Sequence, residues 1–310
     1  MASYPQVFFA GRWVTSAEAV VPIGSLAMRY ALSVFEGIRV YAQMDKSRPP
    51  RPFLLDRHVD RLAISLALMR LPDPGIAALP GLVDELVERN GIIDDAYVRV
   101  AVTPTNPGDL SEPGEPVVSV SATPMGRKRW LARGLGMSLA LSATQRAPAA
   151  SFPPAAKNIS AYAGARLAWL AALDAGFDGC VLSNAAGRLC EAPTATLFLV
   201  TDGEIATPAL SEDVLPGITR AWLLEAARAA GIPAREAELT RAAAYRADEA
   251  FLCGTGIEIA PVRAFGGREC RRWQQREITR LLTIRYFAAA RGGALDREGD
   301  EQAPLTEVFG

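Results

Sequence analysis

Histidine, cysteine and lysine are all scarce in this 310-residue sequence, which has one histidine, His58, and four cysteines. None of the cysteines belongs to a C-x-x-C pair, so we expect no metal site built from clustered cysteine and histidine ligands. Four scattered cysteines are typical of free thiols in a reducing compartment, which predicts a cytoplasmic protein. The sequence also lacks a secretory leader and any run near the ~18 apolar residues of a membrane span, so no membrane association is expected.

An excess of charge of one sign is also missing, because the formal net charge is −1. A chain so close to neutral gives no indication of a nucleic-acid partner. Arginine carries almost all of the positive charge: of the 33 basic residues only three are lysines, Lys46, Lys128 and Lys157. Lys46 lies in a polar, proline-rich stretch and Lys128 lies between two arginines, so both are predicted to be solvated surface charges.

Lys157 differs from the other two lysines because it lies among small and apolar residues, in SFPPAAKNISAY, just before a helical pattern. Burial among such residues disfavours the charged form and lowers the pKa of a lysine from its usual ~10.4. A neutral lysine amine is the nucleophile that forms Schiff bases. The alternative is a structural lysine whose stem packs on the protein while its ammonium group reaches water.

Alternation and turn residues in the first part of the chain predict a β-hairpin at 6–14 and strands at 31–41, 96–102 and 116–122. Helical spacing predicts one helix after Asp56, which is expected to cap it, and another at 79–90. Gly37 lies inside the strand at 31–41, where a glycine often marks the close approach of another group.

The second part of the chain follows a polar, basic linker. Its predicted elements are a strand at 137–141, a helix that ends at 175, paired strands within 179–200 turning at 184–187, a helix from 217 to 230, a strand at 250–253 and a helix at 273–290. This mixture predicts an α+β fold. The predicted organisation is a domain at 1–123, a linker at 124–135, a domain at 136–290 and a tail at 291–310.

Three further stretches have chemistry that fits a lysine nucleophile. Glu191 lies among small residues and a proline, and a buried carboxylate needs a partner such as a protonated ring nitrogen. The sequence LPGITR at 215–220 precedes a helix, whose free N–H groups attract phosphate. GTG at 254–256 follows an apolar strand and offers a hydroxyl with close backbone approach. Each has a plain structural alternative: a surface glutamate, or a glycine loop without a ligand.

Taken together, these stretches supply an imine-forming amine, an acid for a ring nitrogen and two phosphate donors. Pyridoxal 5'-phosphate (PLP) requires all three. The sequence also resembles the class IV, or fold-type IV, PLP-dependent aminotransferases, and within them the branched-chain amino acid aminotransferases. The resemblance runs from about residue 7 to 287 and is most specific in SVFEGIR at 33–39, AK at 156–157, LPGITR at 215–220, and GT at 254–255 followed by EIAPV at 258–262.

The resemblance implies a fold and a set of roles. The family fold has a small N-terminal α/β domain and a larger barrel-like C-terminal domain with the cofactor between them, and members are commonly homodimers. Lys157 would be the catalytic residue, holding PLP as an internal aldimine. The other implied cofactor ligands are Arg61, Tyr162, Glu191, Ile218, Thr219 and Thr255. The implied substrate-binding residues are Tyr30, Phe35, Gly37, Tyr97, Arg99, Gly256 and Ile257. No metal is implied.

The substrate is less clearly indicated than the cofactor, because the sequence departs from the family at the pocket. Thr196 stands where branched-chain enzymes usually carry asparagine, Met125 stands where an aromatic residue is frequent, and the loop at 104–114 is short. The leading hypothesis is transfer of an amino group from an aliphatic, branched-chain-like L-amino acid to 2-oxoglutarate. The alternatives are a D-amino acid or (R)-amine transaminase, an aminodeoxychorismate-type lyase, or a catalytically silent binding protein.

Overall fold

The computed structural model describes residues 3–126, 128, 130 and 134–293. Parts of the predicted linker at 124–135 and most of the predicted tail at 291–310 lie outside the described residues. The chain divides into two compact units. The first unit contains 1–126 together with 155–161, and the second contains 127–154 together with 162–310.

The first unit is built on a six-stranded sheet with strand order β2-β1-β6-β5-β3-β4, and every neighbouring pair is antiparallel. Its strands are β1 (Gln6–Phe9), β2 (Arg12–Thr15), β3 (Val34–Tyr41), β4 (Arg51–Pro52), β5 (Ala96–Pro104) and β6 (Pro116–Pro124). Its helices are α1 (Leu26–Tyr30), α2 (Leu55–Leu68) and α3 (Leu79–Arg89).

The predicted N-terminal hairpin is confirmed. Phe9 pairs with Arg12, so that Ala10 and Gly11 form a two-residue turn with φ of 50° and 85°. Positive φ at both central residues matches the right-handed twist of the flanking strands. The prediction that Asp56 caps α2 is wrong. The N-cap is Leu54, in the left-handed conformation, and Asp56 lies within the first turn. There its charge lies near the positive end of the helix.

The core of the first unit lies where α2 and α3 pack on the sheet. Leu62 and Leu66 of α2 contribute to one apolar cluster with Val83 and Leu86 of α3 and with the buried valines of β5. These positions recur at the three- and four-residue spacing of an amphipathic helix. The helices at residues 55–68 and 79–89 therefore form because each has one apolar face to bury.

The segment that carries Lys157 belongs to the first unit, whereas the sequence-based division placed it in a domain at 136–290. Asn158 forms a β-bridge with Val34, and the Phe35 amide donates to the Lys157 carbonyl at 3.0 Å. The Ile159 amide donates to the Ser33 carbonyl at 3.0 Å. These backbone bonds attach 155–161 to the start of β3, and no feature of the local sequence indicates them.

The second unit contains a nine-stranded sheet with both parallel and antiparallel pairs. The order of its main path is β12-β11-β10-β13-β14-β7-β8, with β9 paired to β10 and β15 paired to β14. Its strands are β7 (Met137–Gln145), β8 (Gly179–Ser183), β9 (Glu191–Ala192), β10 (Ala195–Thr201), β11 (Glu204–Pro208), β12 (Ala234–Ala237), β13 (Glu249–Gly254), β14 (Glu258–Phe265) and β15 (Arg268–Glu269). Its helices are α4 (Tyr162–Asp174), α5 (Ile218–Ala229), α6 (Arg241–Arg246) and α7 (Glu277–Ala290).

Two predictions for the second unit have different outcomes. The helix predicted to open at Gly217 is confirmed, because Gly217 is the N-cap of α5. The paired strands predicted within 179–200 are confirmed in part. The chain turns at 184–187, where Ser183 and Leu189 form an antiparallel bridge, and β9 pairs with β10. The long strands β8 and β10 do not pair with each other, because β8 pairs with β7 and β10 lies between β11 and β13.

Helix α4 buries alanines rather than leucines. Ala165, Ala168 and Ala172 are buried, whereas Leu167 is 65% exposed and Leu173 is also exposed. Small side chains allow the helix to approach the sheet closely, so that its large apolar residues face outward in the single chain. Among the helices of the described residues, none combines the length and the apolar character that a bilayer span requires.

Candidate active site

Lys157 is held by its backbone on both sides in the first unit. Its amide donates to Ser65 Oγ at 3.1 Å, and its carbonyl accepts from the Phe35 amide at 3.0 Å. Its Nζ lies 4.7 Å from the centroid of the Phe35 ring, within the range of a cation–π contact. Ser65 in turn donates to the Arg61 carbonyl at 3.0 Å. The amine is therefore directed along an aromatic face by a fixed main chain.

Arg61, the predicted phosphate ligand, is bound to a buried glutamate. Its Nε and Nη2 donate to the two carboxylate oxygens of Glu36, both at 2.7 Å. His58, one helical turn before Arg61 on α2, lies with Nδ1 at 2.7 Å from Glu36 Oε2. Glu36 is 1% exposed. This Glu36 cluster fixes the direction of the guanidinium, because a bidentate pair sets its plane as well as its position.

The charges in the Glu36 cluster are set by opposing effects. Burial raises the pKa of Glu36, but the Arg61 guanidinium and the hydrogen bonds from Arg61 and His58 outweigh it, and the pKa falls to about 2. Burial lowers the pKa of His58 below its ordinary value, although the bond to Glu36 opposes this. An ionised carboxylate only accepts, so Nδ1 of a neutral His58 carries the proton that it donates to Glu36.

The predicted substrate residues Phe35, Gly37, Tyr97 and Arg99 lie on paired strands β3 and β5. Gly37 pairs with Arg99, and the Arg99 guanidinium carbon lies 3.9 Å from the centroid of the Phe35 ring. A Cβ on Gly37 would lie 1.9 Å from the Tyr97 hydroxyl oxygen, so only glycine fits while Tyr97 keeps its position. Arg99 is exposed, whereas its neighbours Val98 and Val100 on β5 are buried.

Tyr30 is the fifth predicted pocket residue of the first unit. It ends α1 and is half-buried. The guanidinium carbon of the neighbouring Arg29 lies 5.2 Å from the centroid of its ring. Arg29 also donates through Nη1 to the Gly108 carbonyl at 2.8 Å, which connects α1 to the loop at 104–114.

Glu191, on β9 of the second unit, is 6% exposed and is bound to an arginine. Arg146 Nη1 lies 2.7 Å from Glu191 Oε1, and the Leu215 amide donates to Oε2 at 3.3 Å. Arg146 also donates through Nε to the Asp213 carbonyl. The carboxylate is thus buried and paired, which removes the alternative of a solvated surface glutamate.

The N-terminus of α5 provides the predicted phosphate-binding backbone. Ile218 and Thr219, the first residues of the helix, are buried, and Gly217 is the N-cap. A Cβ on Gly217 would lie 3.0 Å from Thr196 Oγ1 and 3.1 Å from Arg220 Cβ, so both side chains pack closely against the N-cap. The unpaired N–H groups and positive dipole of a helix start suit a phosphate. The donor set therefore fits the phosphate of PLP.

The remaining predicted residues of the second unit lie at the end of β13 and the start of α4. Thr255, Gly256 and Ile257 form the half-buried turn between β13 and β14. A Cβ on Gly254 would lie 3.4 Å from the Thr194 carbonyl oxygen, so the turn passes close to the segment that follows Glu191. Tyr162 is the half-buried first residue of α4.

Several residues of these sites were not predicted from the sequence. In the first unit they are Glu36, His58 and Ser65, and in the second unit Arg146. One signal was available: His58 and Arg61 are three residues apart on a helix and so share a face. Arg146 had no such signal, because it reaches Glu191 through tertiary structure alone. The four cysteines are buried, and burial raises the pKa of the Cys190 thiol to about 12, which disfavours the thiolate.

The sequence and the structure both match known proteins. The family described as amino-transferase class IV matches residues 33–265. A branched-chain-amino-acid aminotransferase of Salmonella typhimurium is 31% identical over 303 residues, covering 94% of this chain and 95% of that protein. A branched-chain aminotransferase of Thermoproteus uzoniensis, solved with norvaline, has a TM-score of 0.87 at 30% identity and covers 98% and 100% of the two chains. The PLP form of one from Thermobaculum terrenum has a TM-score of 0.88 at 26% identity, covering 95% and 96%.

The chain belongs to the class IV aminotransferases. It is a PLP-dependent transaminase, and its α+β fold is that of the fold-type IV enzymes. The family, the fold class and the cofactor predicted from the sequence are thereby confirmed. The role of each individual residue stays a prediction.

Proposed function

We propose that this enzyme transfers the amino group of an aliphatic, branched-chain L-amino acid to 2-oxoglutarate. The observation that carries the proposal is the Phe35 ring, whose face is approached by Lys157 Nζ at 4.7 Å and by the Arg99 guanidinium at 3.9 Å. An aromatic surface suits an aliphatic side chain, and a guanidinium suits a second carboxylate. The names of the relatives, branched-chain aminotransferases, support the same donor class.

Lys157 is the proposed covalent attachment point. Its Nζ would hold PLP covalently. Once released from the cofactor, the same amine would move the proton at the substrate Cα. Bound PLP supplies the electron sink for that proton transfer. The backbone bonds to Ser65 and Phe35 support this role, since they fix the main chain from which the amine extends.

The predicted site residues of the second unit are also proposed PLP ligands. Glu191 would accept a hydrogen bond from the protonated ring nitrogen, and Tyr162 would donate to the phenolic oxygen. The proposed phosphate ligands are Arg61, Ile218, Thr219 and Thr255. The amides of Gly256 and Ile257 would bind the substrate α-carboxylate. The burial of Glu191 supports its assignment, because a buried carboxylate is stabilised by charged donors.

The assembly proposed for the enzyme is a cytoplasmic homodimer. Leu167 and Leu173 are exposed on α4 of the single chain, and such an apolar helix face is typical of a surface covered by another protein. The four buried free cysteines are consistent with a reducing compartment. Sedimentation equilibrium should give twice the chain mass of 33.1 kDa.

A donor screen tests the proposed reaction. Purified holoenzyme is mixed with 2-oxoglutarate and single amino donors, and glutamate formation is measured. Leucine, isoleucine or valine should give the highest kcat/KM, and the same donor without acceptor should bleach the visible absorption of the bound cofactor. Preference for a D-amino acid or an (R)-amine, or release of pyruvate from aminodeoxychorismate, would contradict the proposal.

A further inference from the structure

Arg146 lies between two parts of the second unit that are proposed to bind opposite ends of the cofactor. Its Nη1 contacts Glu191 Oε1 at 2.7 Å, while its Nε donates to the carbonyl of Asp213. Asp213 lies four residues before Gly217, the N-cap of α5. The guanidinium therefore divides its donors between the buried carboxylate and the loop that leads into the phosphate-binding helix.

The loop at 213–217 also donates a hydrogen bond to Glu191. The Leu215 amide donates to Glu191 Oε2 at 3.3 Å. Asp213 has a left-handed φ of 58°, and its carboxylate accepts from the Ala149 amide at 2.9 Å, three residues beyond Arg146. Glu191, Arg146, Asp213 and Leu215 thus form a closed ring of contacts, which we call the Arg146 ring.

The Arg146 ring is anchored to the sheet. The Arg146 amide donates to the Ser183 carbonyl at 2.9 Å, just beyond the last pair of β7 and β8, and Glu191 pairs with Thr196 on β10. Arg146 is only 13% exposed, so its charge lies in a region of low dielectric constant. A charge-assisted hydrogen bond there is shorter and stronger than one in water, and it holds both partners in one orientation.

We propose that Arg146 is a positioning residue that holds Glu191 towards the pyridine nitrogen of PLP and fixes the phosphate-binding loop relative to it. The inference rests on the proposed function, because it uses the assignment of Glu191 to the ring nitrogen. Arg146 itself touches neither substrate nor cofactor in this proposal. Lysine cannot replace it fully, since a single ammonium group lacks the planar fork that reaches two acceptors.

A double-mutant cycle tests whether Arg146 acts through Glu191. The holoenzymes of Arg146→Met, Glu191→Gln and the double variant are compared by the single-turnover rate of cofactor bleaching with saturating leucine. Arg146→Met should slow this step ~10- to 100-fold, the value of one hydrogen bond to a charged group. In the Glu191→Gln background the same change should cost less than about threefold, because coupled residues are not additive.

Two measurements independent of turnover accompany the cycle. The half-time of PLP release into a scavenging apoenzyme and the circular dichroism of the bound cofactor band both report how the cofactor is held. Arg146→Met should shorten that half-time ~10-fold or more and reduce the dichroic band. Arg146→Lys should restore part of each change. If Arg146→Met does not fold, Arg146→Gln, which keeps a donor for the Asp213 carbonyl, replaces it.

Arg188 provides a matched control in the same unit. Its Nε lies 2.6 Å from Oε2 of Glu212, which is 1% exposed, so Arg188→Met also leaves a buried glutamate without its arginine. It should leave cofactor release and bleaching within about threefold of wild type. The proposal is overturned if Arg146→Met behaves like Arg188→Met, or if its effect is unchanged in the Glu191→Gln background. If Glu191→Gln alone reacts at the wild-type rate, the assignment of Glu191 fails first.

Discussion

The two units each bury a glutamate against an arginine, but the surroundings of the two carboxylates differ. Glu36 of the first unit contacts Arg61 at both oxygens and His58 at one of them, all at 2.7 Å. Arg146 Nη1 lies 2.7 Å from Oε1 of Glu191 in the second unit, and the Leu215 amide donates to its Oε2 at 3.3 Å.

We propose that Glu36 is a structural carboxylate and that Glu191 is a reactive one. A carboxylate has about four acceptor positions, and the short contacts to Glu36 come from one guanidinium and one imidazole of the same helix. Glu36 therefore serves to orient Arg61. Glu191 is bonded to a strand-end arginine and to the loop that leads into α5, the helix proposed to bind the phosphate. The same pair of residue types is thus proposed to give stability in one unit and chemistry in the other.

Replacement of Lys157 is expected to have the largest effect. Lys157→Ala should lower turnover by at least ~10⁴-fold, since this residue is proposed to supply both the covalent attachment and the proton transfer. Borohydride should trap PLP on the wild-type chain and not on this variant. Lys46→Ala, at an exposed lysine, is the control and should behave as wild type. A borohydride-stable adduct on the Lys157→Ala chain would place the reactive amine elsewhere.

Replacement of Glu36 tests the structural carboxylate. Glu36→Gln leaves the buried Arg61 guanidinium without its counter-charge, and the loss of one partner of a buried ion pair costs about 3–5 kcal/mol. The free energy of unfolding at pH 7, measured in urea by circular dichroism, should fall by that amount. An unchanged unfolding midpoint would show that Glu36 is not a structural carboxylate.

The pH dependence of this loss follows from the pKa of Glu36, which is lowered to about 2. Its ordinary value is ~4.3, so the unfolded state binds the proton first as the pH falls. The ion pair therefore contributes its full stability above ~4.3 and loses it as the pH falls towards 2. The difference between wild type and Glu36→Gln should shrink over that range, and a constant difference would contradict the assignment.

Replacement of Glu191 tests the reactive carboxylate. Glu191→Gln should slow the half-reaction with amino donor ~10²- to 10³-fold, the range found when one electrostatic group is removed from an active site. Its free energy of unfolding should fall by about 1.5–3 kcal/mol, the value of one hydrogen bond to a charged group. Glu36→Gln is thus expected to lose more stability than Glu191→Gln, whereas Glu191→Gln is expected to lose more of the half-reaction rate. A large loss of stability in Glu191→Gln with an unchanged half-reaction rate would make Glu191 a structural carboxylate instead.

The parts of this comparison that the sequence predicts are local ones. Period-two alternation places Tyr97 and Arg99 on one face of a strand, and the structure has Val98 and Val100 buried on the other. A glycine before a helical pattern predicts the start of α5 at Gly217. Both follow from residues within a few positions of each other.

The partners of the two glutamates could not be predicted in the same way. Arg61 meets Glu36, and Arg146 meets Glu191, only after separate strands and helices have packed together. Local pattern contains no information on such contacts. The same reason explains why the Lys157 segment joins the first unit: a bridge between Val34 and Asn158 is a long-range pairing.

Arg99 is the remaining charged residue of the first unit's candidate site, and it differs from Arg61 in being exposed and stacked on Phe35 rather than paired to a buried carboxylate. We predict that it binds the second carboxylate of 2-oxoglutarate. A hydrogen bond to a charged partner is worth about 1.5–3 kcal/mol, so its loss should cost ~10- to 100-fold. The matched control is Arg89, which is also exposed in the first unit and lies 4.9 Å from the Trp13 ring centroid.

Arg99→Leu should therefore lose ~10- to 100-fold in kcat/KM with glutamate and 2-oxoglutarate but change little with leucine in the isolated half-reaction. Leucine has no second carboxylate, and the introduced side chain keeps an apolar surface next to Phe35. Arg89→Leu should leave both substrates within about threefold of wild type, since it removes an equivalent stacking contact away from Phe35. An equal loss with leucine and glutamate would make Arg99 a structural residue. No loss with either would mean that a different residue binds the second carboxylate. The strand face that carries Arg99 would then not bind both the apolar and the charged substrate.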